Sequence, residues 1–211
     1  MEEKRNFDLL TLGQVLLRLS PPNNDRLVRG DTFVKQVGGA ELNVAVGVAL
    51  LGLRTGVISK LPSHDMGSFM KGKIRSYGVS DDFFMYDDSP SARVGIYYYE
   101  NGAYPRKPKV IYDRANSSFY SLKIDEIPEK AYTASRCFHT SGITLALSPK
   151  VRETTIEMIK RFKAQGAIIS FDVNFRGNLW TGAEAKECIE SILPYVDIFF
   201  CSEDTARLTF L

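Results

Sequence analysis

Two stretches of the chain set polar side chains at spacings that chemistry could use. The first is Gly38-Gly39-Ala40-Glu41-Leu42-Asn43, a glycine pair running into an apolar segment. Glycines there permit positive φ and let a ligand approach the main chain, and the helix start behind them offers unpaired N–H groups to a polar or anionic partner. Asn43 projects an amide from the first turn. The second stretch is Asp172-Val173-Asn174-Phe175-Arg176. An Asp and an Asn at period two project to one face of a sheet, and Arg176 follows just beyond the carboxyl end of that strand, where α/β sheets place ligands. Each also has a plainer reading. The glycines alone mark a tight turn before a helix, and an Asp and Asn can simply tie down a turn beside a solvated Arg.

Hydrophobic periodicity says which elements carry these stretches. Phe7 to Val15 is a Leu-rich run expected to be the first core strand, continued over Leu16 to Ser20 and broken by Pro21-Pro22-Asn23-Asn24-Asp25. Thr32 to Val37 alternates as a half-buried strand should and delivers the chain to the glycine pair. Ala40 to Leu51 is apolar on every side, which predicts a helix buried all round with Gly52 as its stop. Thr55 to Leu61 is a second core strand, Asp65 caps a helix ending at Gly78, and Phe83 to Tyr86 is another strand. This alternation argues for a mostly parallel sheet flanked by helices.

The middle of the chain departs from that rhythm. Ala92 to Glu100 and Lys109 to Arg114, joined by Asn101-Gly102-Ala103-Tyr104-Pro105, read as an antiparallel hairpin standing off the main sheet. With the strands at 14–20 and 32–37 it forms a small sheet that covers a site like a lid. The alternation then resumes. Arg136 to Gly142 is a strand, Ser148-Pro149 starts a helix running to about Gln165, and Ala167 to Val173 is a core strand. Thr181-Gly182-Ala183-Glu184 is a capping box for a helix to about Leu193, and Val196 to Cys201 is the next core strand. Ser202 caps a last helix with Glu203 and Asp204 in its first turn. Leu208, Phe210 and Leu211 are left there with nothing to pack on, so the chain reads as part of a longer domain.

A chain of 211 residues suffices for one large domain with a substantial core. Lys and Arg total 27 against 25 Asp and Glu, for a formal charge of +2, which argues against nucleic acid or an anionic membrane as partner. The cluster Arg106-Lys107-Pro108-Lys109 is read as a solvated lid tip. Cys137, Cys188 and Cys201 lack metal-ligand spacing and suit buried free thiols in a reducing compartment. The run after Met1–Asn6 is too short for a secretory core, and no segment approaches the ~20 apolar residues that span a bilayer. A cytoplasmic protein is expected.

The block from Gly38 to Asn43, with Gly52-Leu53, Gly56 and Asp65-Met66-Gly67, resembles the first signature of the ribokinase-like (PfkB-type) carbohydrate kinases. Asp172-x-Asn174-x-Arg176 with Leu179-Trp180 is a pattern the family shows at this point, and the resemblance covers essentially the whole chain. It implies a ribokinase-like α/β fold, with a mostly parallel central sheet flanked by helices and a small β-sheet lid built from about 14–37 and 92–115. Residues 1–211 would be an incomplete domain, truncated at the C-terminus. Ile111-Tyr112-Asp113-Arg114-Ala115-Asn116-Ser117 resembles the Tyr-x-Arg-x-x-Ser segment of 2-keto-3-deoxygluconate kinases, and Gly95-Ile96-Tyr97 its partner strand. By this resemblance Gly38, Gly39 and Asn43 bind sugar hydroxyls, and Arg114 and Arg176 take the carboxylate end. Tyr97 and Tyr112 shape the lid pocket, and Asp172 and Asn174 stand on the opposing wall. Charge agrees with this, since a guanidinium can bind both oxygens of a carboxylate and would select an acid sugar. A homo-oligomer through the lid is expected from the exposed edges of such a sheet.

The chain also departs from the family. Gln14 follows Gly13 where a Glu or Asp is common, so hydrogen bonding survives but charge does not. Ser202-Glu203-Asp204-Thr205 takes the place of an Asn-x-x-Glu element that helps place magnesium and phosphate. Ser202 and Glu203 are the candidates facing the expected ATP and Mg2+, and the metal ligands stay open. The Asp-Thr-x-Gly-Ala-Gly-Asp run that supplies the family's catalytic base and anion hole is not among the 211 residues. The expectation is the acceptor-sugar-binding part of an ATP-dependent kinase of 2-keto-3-deoxygluconate, itself without turnover. A fructokinase- or ribokinase-type kinase of a neutral sugar and a non-catalytic sugar-binding module remain the alternatives.

Overall fold

A computed structural model of the chain describes residues 5–210. The charged Met1–Lys4 and the apolar Leu211 lie outside the described residues. Apolar runs six to eight residues long build the centre: β1 (Phe7–Leu12) and the fully buried β4 (Thr55–Pro62). With β5 (Val79–Ser80), β6 (Phe84–Asp87), β9 (Ser135–Ser141), β10 (Ile168–Asp172) and β11 (Ile198–Phe200) they form one sheet in the order β11-β10-β9-β1-β4-β5, with β6 also on β4. Every pairing in it is parallel. A parallel sheet needs helical crossovers, and these bring α1 (Ala40–Leu50), α2 (Asp65–Ser76), α3 (Lys130–Thr133), α4 (Gly142–Ala146), α5 (Pro149–Ala164), α6 (Gly182–Ile192) and α7 (Glu203–Phe210).

The register divides the side chains between two faces. Leu10, Phe138, Ile169 and Phe171 share one face and are fully buried under α5, whose Val151, Thr155, Met158, Ile159 and Phe162 recur at helical spacing. Phe138 and Phe162 stack with ring centroids 4.1 Å apart. The helix starts where Ser148 Oγ accepts from the Val151 N–H, with Pro149 at its first position, and stops before Gly166 at φ +72°. α6 carries the full Thr181–Glu184 capping box.

Four strands leave this body as the lid. β2 (Leu16–Ser20), β3 (Val34–Gly38), β7 (Gly95–Glu100) and β8 (Lys109–Asp113) form a sheet in the order β3-β2-β7-β8. β7 and β8 pair antiparallel with Tyr97 opposite Tyr112, and β2 runs parallel to β7. Alternation sorts the aromatic run. Tyr97 and Tyr99 look into the cleft beneath, while Tyr98 packs edge-on against Phe33 on the other side, with centroids 6.0 Å apart.

Several expectations change. The helix after the glycines is not buried all round: Glu41, Leu42 and Ala45 are buried, whereas Val44, Leu50 and Leu51 are exposed. Val196 to Cys201 yields the short strand β11, whose residues are all exposed because it is the sheet's edge. The run Thr32–Val37 is exposed up to Gln36, as the outer strand of the lid sheet, with Lys35 reaching the Phe69 ring of α2 at 4.3 Å. Asp65 is the first residue of α2, and the cap is His64, whose Nδ1 accepts from the Met66 N–H at 3.2 Å. All three cysteines are free, but only Cys188 is buried. Arg106 is tied rather than solvated, donating to Glu100 Oε1 at 2.9 Å and to the Asn24 carbonyl.

Candidate active site

A cleft of about 520 Å³ opens between the lid and the C-terminal ends of β1, β9 and β10. Its floor is the start of α1. Gly39, the N-cap residue, holds φ +153°, and a Cβ there would lie 2.7 Å from the Gln14 carbonyl oxygen, so only glycine fits. Gly38 sits behind the cleft wall, where a Cβ would meet the Tyr97 hydroxyl at 2.8 Å; its role is to admit that hydroxyl. Asn43, exposed on the first turn, lines the cleft together with Tyr97, Tyr112, Arg114, Asp172, Asn174 and Arg176. Of the expected sugar-binding residues, all but Gly38 therefore meet in one place.

The opposing wall follows from strand parity. Asp172 ends β10, and its Oδ1 accepts from the Asn174 N–H at 3.0 Å, closing a turn in which Asn174 takes φ +37°. Burial raises the Asp172 carboxyl above its ordinary range, against the Asn174 N–H and the Arg176 charge, which pull it down. Arg176 extends past this turn, exposed, donating to the Phe175 carbonyl.

On the lid side, Arg114 donates through Nε to Gln14 Oε1 at 2.7 Å, while Gln14 Nε2 donates to Ser117 Oγ at 2.6 Å. Gln14 is almost fully buried with both amide ends in use: the oxygen takes the guanidinium, and the nitrogen ties down the segment behind it through Ser117 Oγ and the Arg114 carbonyl. Burial pulls Arg114 below its ordinary value, and nearby Arg176 adds to the pull. Arg18, Arg114 and Arg176 all line the cleft, and none of them has an ion-pair partner among the described residues. Three arginines against Glu41 and Asp172 leave the cleft lining with an excess of positive charge, carried on the lid by Arg18 and Arg114, and this suits an anionic ligand with hydroxyls.

Sequence reasoning passed over Glu41, which lies inside the glycine motif. Its Oε1 accepts from Ser141 Oγ at 2.5 Å and Thr144 Oγ1 at 2.8 Å, and it is buried. Desolvation raises its carboxyl, opposed chiefly by the Ser141 bond. A lone acid in an otherwise apolar helix start was the available signal. His139 was passed over too. It lines the cleft from β9, its Nδ1 lies 2.9 Å from Ser170 Oγ, and burial lowers it to about 4.

Ser202 and Glu203 do not line this cleft. Ser202 Oγ accepts from the Thr205 N–H at the start of α7, and Glu203 pairs with Arg207 one turn on. Among the described residues no cluster of His, Cys, Asp and Glu could hold a metal ion.

Over residues 6–210 the chain matches the model of the pfkB family of carbohydrate kinases. It is similar to a 2-dehydro-3-deoxygalactonokinase from Haloferax volcanii, 37% identical over 200 residues, covering 95% of this chain and 62% of that protein. A 5-dehydro-2-deoxygluconokinase from Listeria monocytogenes is 30% identical over 191 residues, covering 90% of this chain and 58% of that protein. Among solved structures, a 2-dehydro-3-deoxygluconokinase from Thermotoga maritima matches with a TM-score of 0.91 at 35% identity, covering 95% of this chain and 61% of that one. The chain thus spans less than two thirds of the length of these relatives.

Proposed function

We propose, since this chain belongs to the pfkB family of carbohydrate kinases, that it forms the acceptor-binding part of an ATP-dependent kinase of a 2-keto-3-deoxy sugar acid such as 2-keto-3-deoxygluconate. The observation that carries this reading is the pair of unneutralised guanidinium groups, Arg114 on the lid and Arg176 on the body, facing one cleft. A carboxylate entering there gains two bidentate donors, with sugar hydroxyls left for Asn43, Asp172, Asn174 and the main chain at Gly39. The named substrates of the similar kinases are deoxy keto derivatives of sugar acids, which agrees with that charge.

Phosphoryl transfer depends on positioning and charge stabilisation around the moving group. The residues described here fit the acceptor better than the nucleotide. Ser202 and Glu203 are the candidates nearest in role to a phosphate or Mg2+ contact, and both are engaged within α7. ATP would supply the phosphoryl group, and the 211-residue chain by itself is expected to show no turnover. We place a contact between copies on the lid, where β8 is exposed along its whole length and pairs only with β7 among the described residues. No helix of the described residues is long and apolar enough to cross a membrane, and a cytoplasmic site of action is part of the same proposal.

Calorimetric titration of the purified chain decides the substrate class. 2-Keto-3-deoxygluconate is expected to bind at least tenfold more tightly than fructose or ribose. Equal affinity for the neutral sugars would overturn the acid assignment, and phosphorylation of any sugar by the chain would overturn the expected lack of turnover.

A further inference from the structure

The lid leaves and rejoins the body through four segments, and a single buried amide lies where they meet. Gln14 is on the stretch between β1 and β2, by which the chain first leaves the body, and Arg114 follows β8, on the stretch by which it returns. Gly39, after β3, and Gly95, which begins β7, both lie against Gln14: a Cβ on Gly39 would meet its carbonyl oxygen at 2.7 Å, and a Cβ on Gly95 its Nε2 at 2.7 Å. The Gln14 side chain is thereby enclosed, with the residue only 3% exposed. Its Nε2 donates to Ser117 Oγ at 2.6 Å and to the Arg114 carbonyl at 3.3 Å, while its Oε1 accepts from Arg114 Nε at 2.7 Å. A carbonyl only accepts, so the end of the side chain facing it must carry hydrogens, and the end facing a guanidinium must carry none. At neutral pH, of side chains this size, only an amide meets both demands.

The result is a guanidinium that is aimed but not neutralised. Arg114 uses Nε on Gln14 and lies with its guanidinium carbon 5.5 Å from the Tyr112 ring centroid, and neither of its Nη atoms has a hydrogen-bond partner among the described residues. That free end-on pair matches the two oxygens of a carboxylate. Arg176 is held more loosely, exposed and donating to the carbonyl of its own neighbour, Phe175. The charged side chains lining the cleft are three arginines against Glu41 and Asp172, with His139 lowered to about 4 and so neutral at pH 7, which leaves a surplus of one positive charge. A carboxylate at position 14 would cancel that surplus and turn an oxygen toward the Arg114 carbonyl.

We propose that Gln14 is a specificity-determining positioning residue: its neutral amide aims the Arg114 guanidinium and leaves its charge to the substrate, and so selects a sugar acid over a neutral sugar. This role rests on the sugar-acid reading given above. Gln14 acts through Arg114 and needs no contact with the substrate itself.

Calorimetric titration of the chain with 2-keto-3-deoxygluconate and with fructose, at about 20 and about 200 mM salt, tests this on two variants. Gln14→Glu and Gln14→Met both give up the Nε2 bonds, but only the first adds a charge. Gln14→Met should weaken binding of the acid about threefold to tenfold, because Arg114 is no longer aimed, and should keep the salt dependence of the parent. Gln14→Glu should weaken it by about a further tenfold or more and flatten the salt dependence, which a merely structural role would not do. Fructose binding should stay within about twofold in both, since the charge at position 14 does not act on a neutral ligand. Circular dichroism and melting temperature are recorded in parallel. Should Gln14→Glu fail to fold, the uncharged Gln14→Met, close to the parent in volume, keeps the test open, and acid affinity equal to that of the parent then overturns the proposal. A Gln14→Glu chain that prefers the acid as strongly as the parent, or one indistinguishable from Gln14→Met, overturns the proposal and leaves the sugar-acid reading in place. A parent that binds fructose as tightly as the acid overturns that reading, and the role of Gln14 with it.

Discussion

The carboxyl of Glu41 occupies the space in front of Gly13, so that a Cβ on residue 13 would fall inside the contact distance of Glu41 Oε2. Gly13 ends the first sheet strand's path toward the lid, and Glu41 stands in the first turn of the helix that floors the cleft. Ser141 at the end of β9 and Thr144 in α4 hold the other carboxyl oxygen. One buried side chain thereby locks three strand-end segments together. Gly13→Ala should expel it and cost about 2–3 kcal/mol, read as a lowered urea midpoint. In a Glu41→Ala background the same change should cost almost nothing further, because the obstacle is gone. Additive losses in that double-mutant cycle would refute the coupling.

Arg114 is set by Gln14 rather than by a carboxylate, so it reaches the cleft with its charge intact. Arg114→Lys keeps the charge but loses the fork and the bond to Gln14. Affinity for 2-keto-3-deoxygluconate should fall by about tenfold to a hundredfold, or roughly 1.4–2.8 kcal/mol. Any weak binding of a neutral sugar should stay within twofold. Equal losses for both ligands would mean that Arg114 supports the lid and not the carboxylate.

Most of the fold was legible because it is written in local signals: Ser148-Pro149, the Thr181–Glu184 capping box, and glycines at helix ends. The lid was legible from the lack of any helical period between Ala92 and Arg114. Burial was less so. Residues Val44, Leu50, Ile198 and Phe200 are apolar enough to read as core, and periodicity cannot say that they stand exposed on α1 and on the edge strand β11. In the site, Arg114 and Arg176 are 62 positions apart, and only the closure of the lid over β10 brings them to one cleft. Glu41 offered only the signal of a lone acid at the helix start; its role was illegible because its partners, Ser141 and Thr144, lie 100 positions and more away.

Asn174 separates a backbone role from a ligand role. At φ +37° a residue with a Cβ but no capping amide costs about 1 kcal/mol or more, whereas glycine is at ease. Asn174→Ala should lower both stability and sugar affinity. Asn174→Gly should preserve the melting temperature within about 1 °C per few tenths of a kcal/mol and still lose affinity. If Asn174→Gly binds sugar like the parent, the side chain has only a turn-forming role.

His139 should make the fold sensitive to acid. Burial lowers it from 6.5 to about 4, so between those values the unfolded chain takes up a proton that the native chain refuses. Stability from this group is complete above pH 6.5 and falls as pH drops toward 4, by roughly 3 kcal/mol in all. Glu41 and Asp172, both raised by burial, act in the opposite sense: their native forms hold protons longer, so they favour the folded chain as pH falls. Comparing the parent with His139→Gln cancels those two contributions. The difference in unfolding free energy, measured by urea titration from pH 7 to pH 4.5, should change steadily in favour of the Gln variant as the solution is acidified. A difference that stays constant over that range would show that His139 titrates normally in the folded protein, and that the β9 side of the cleft is wetter than its burial implies.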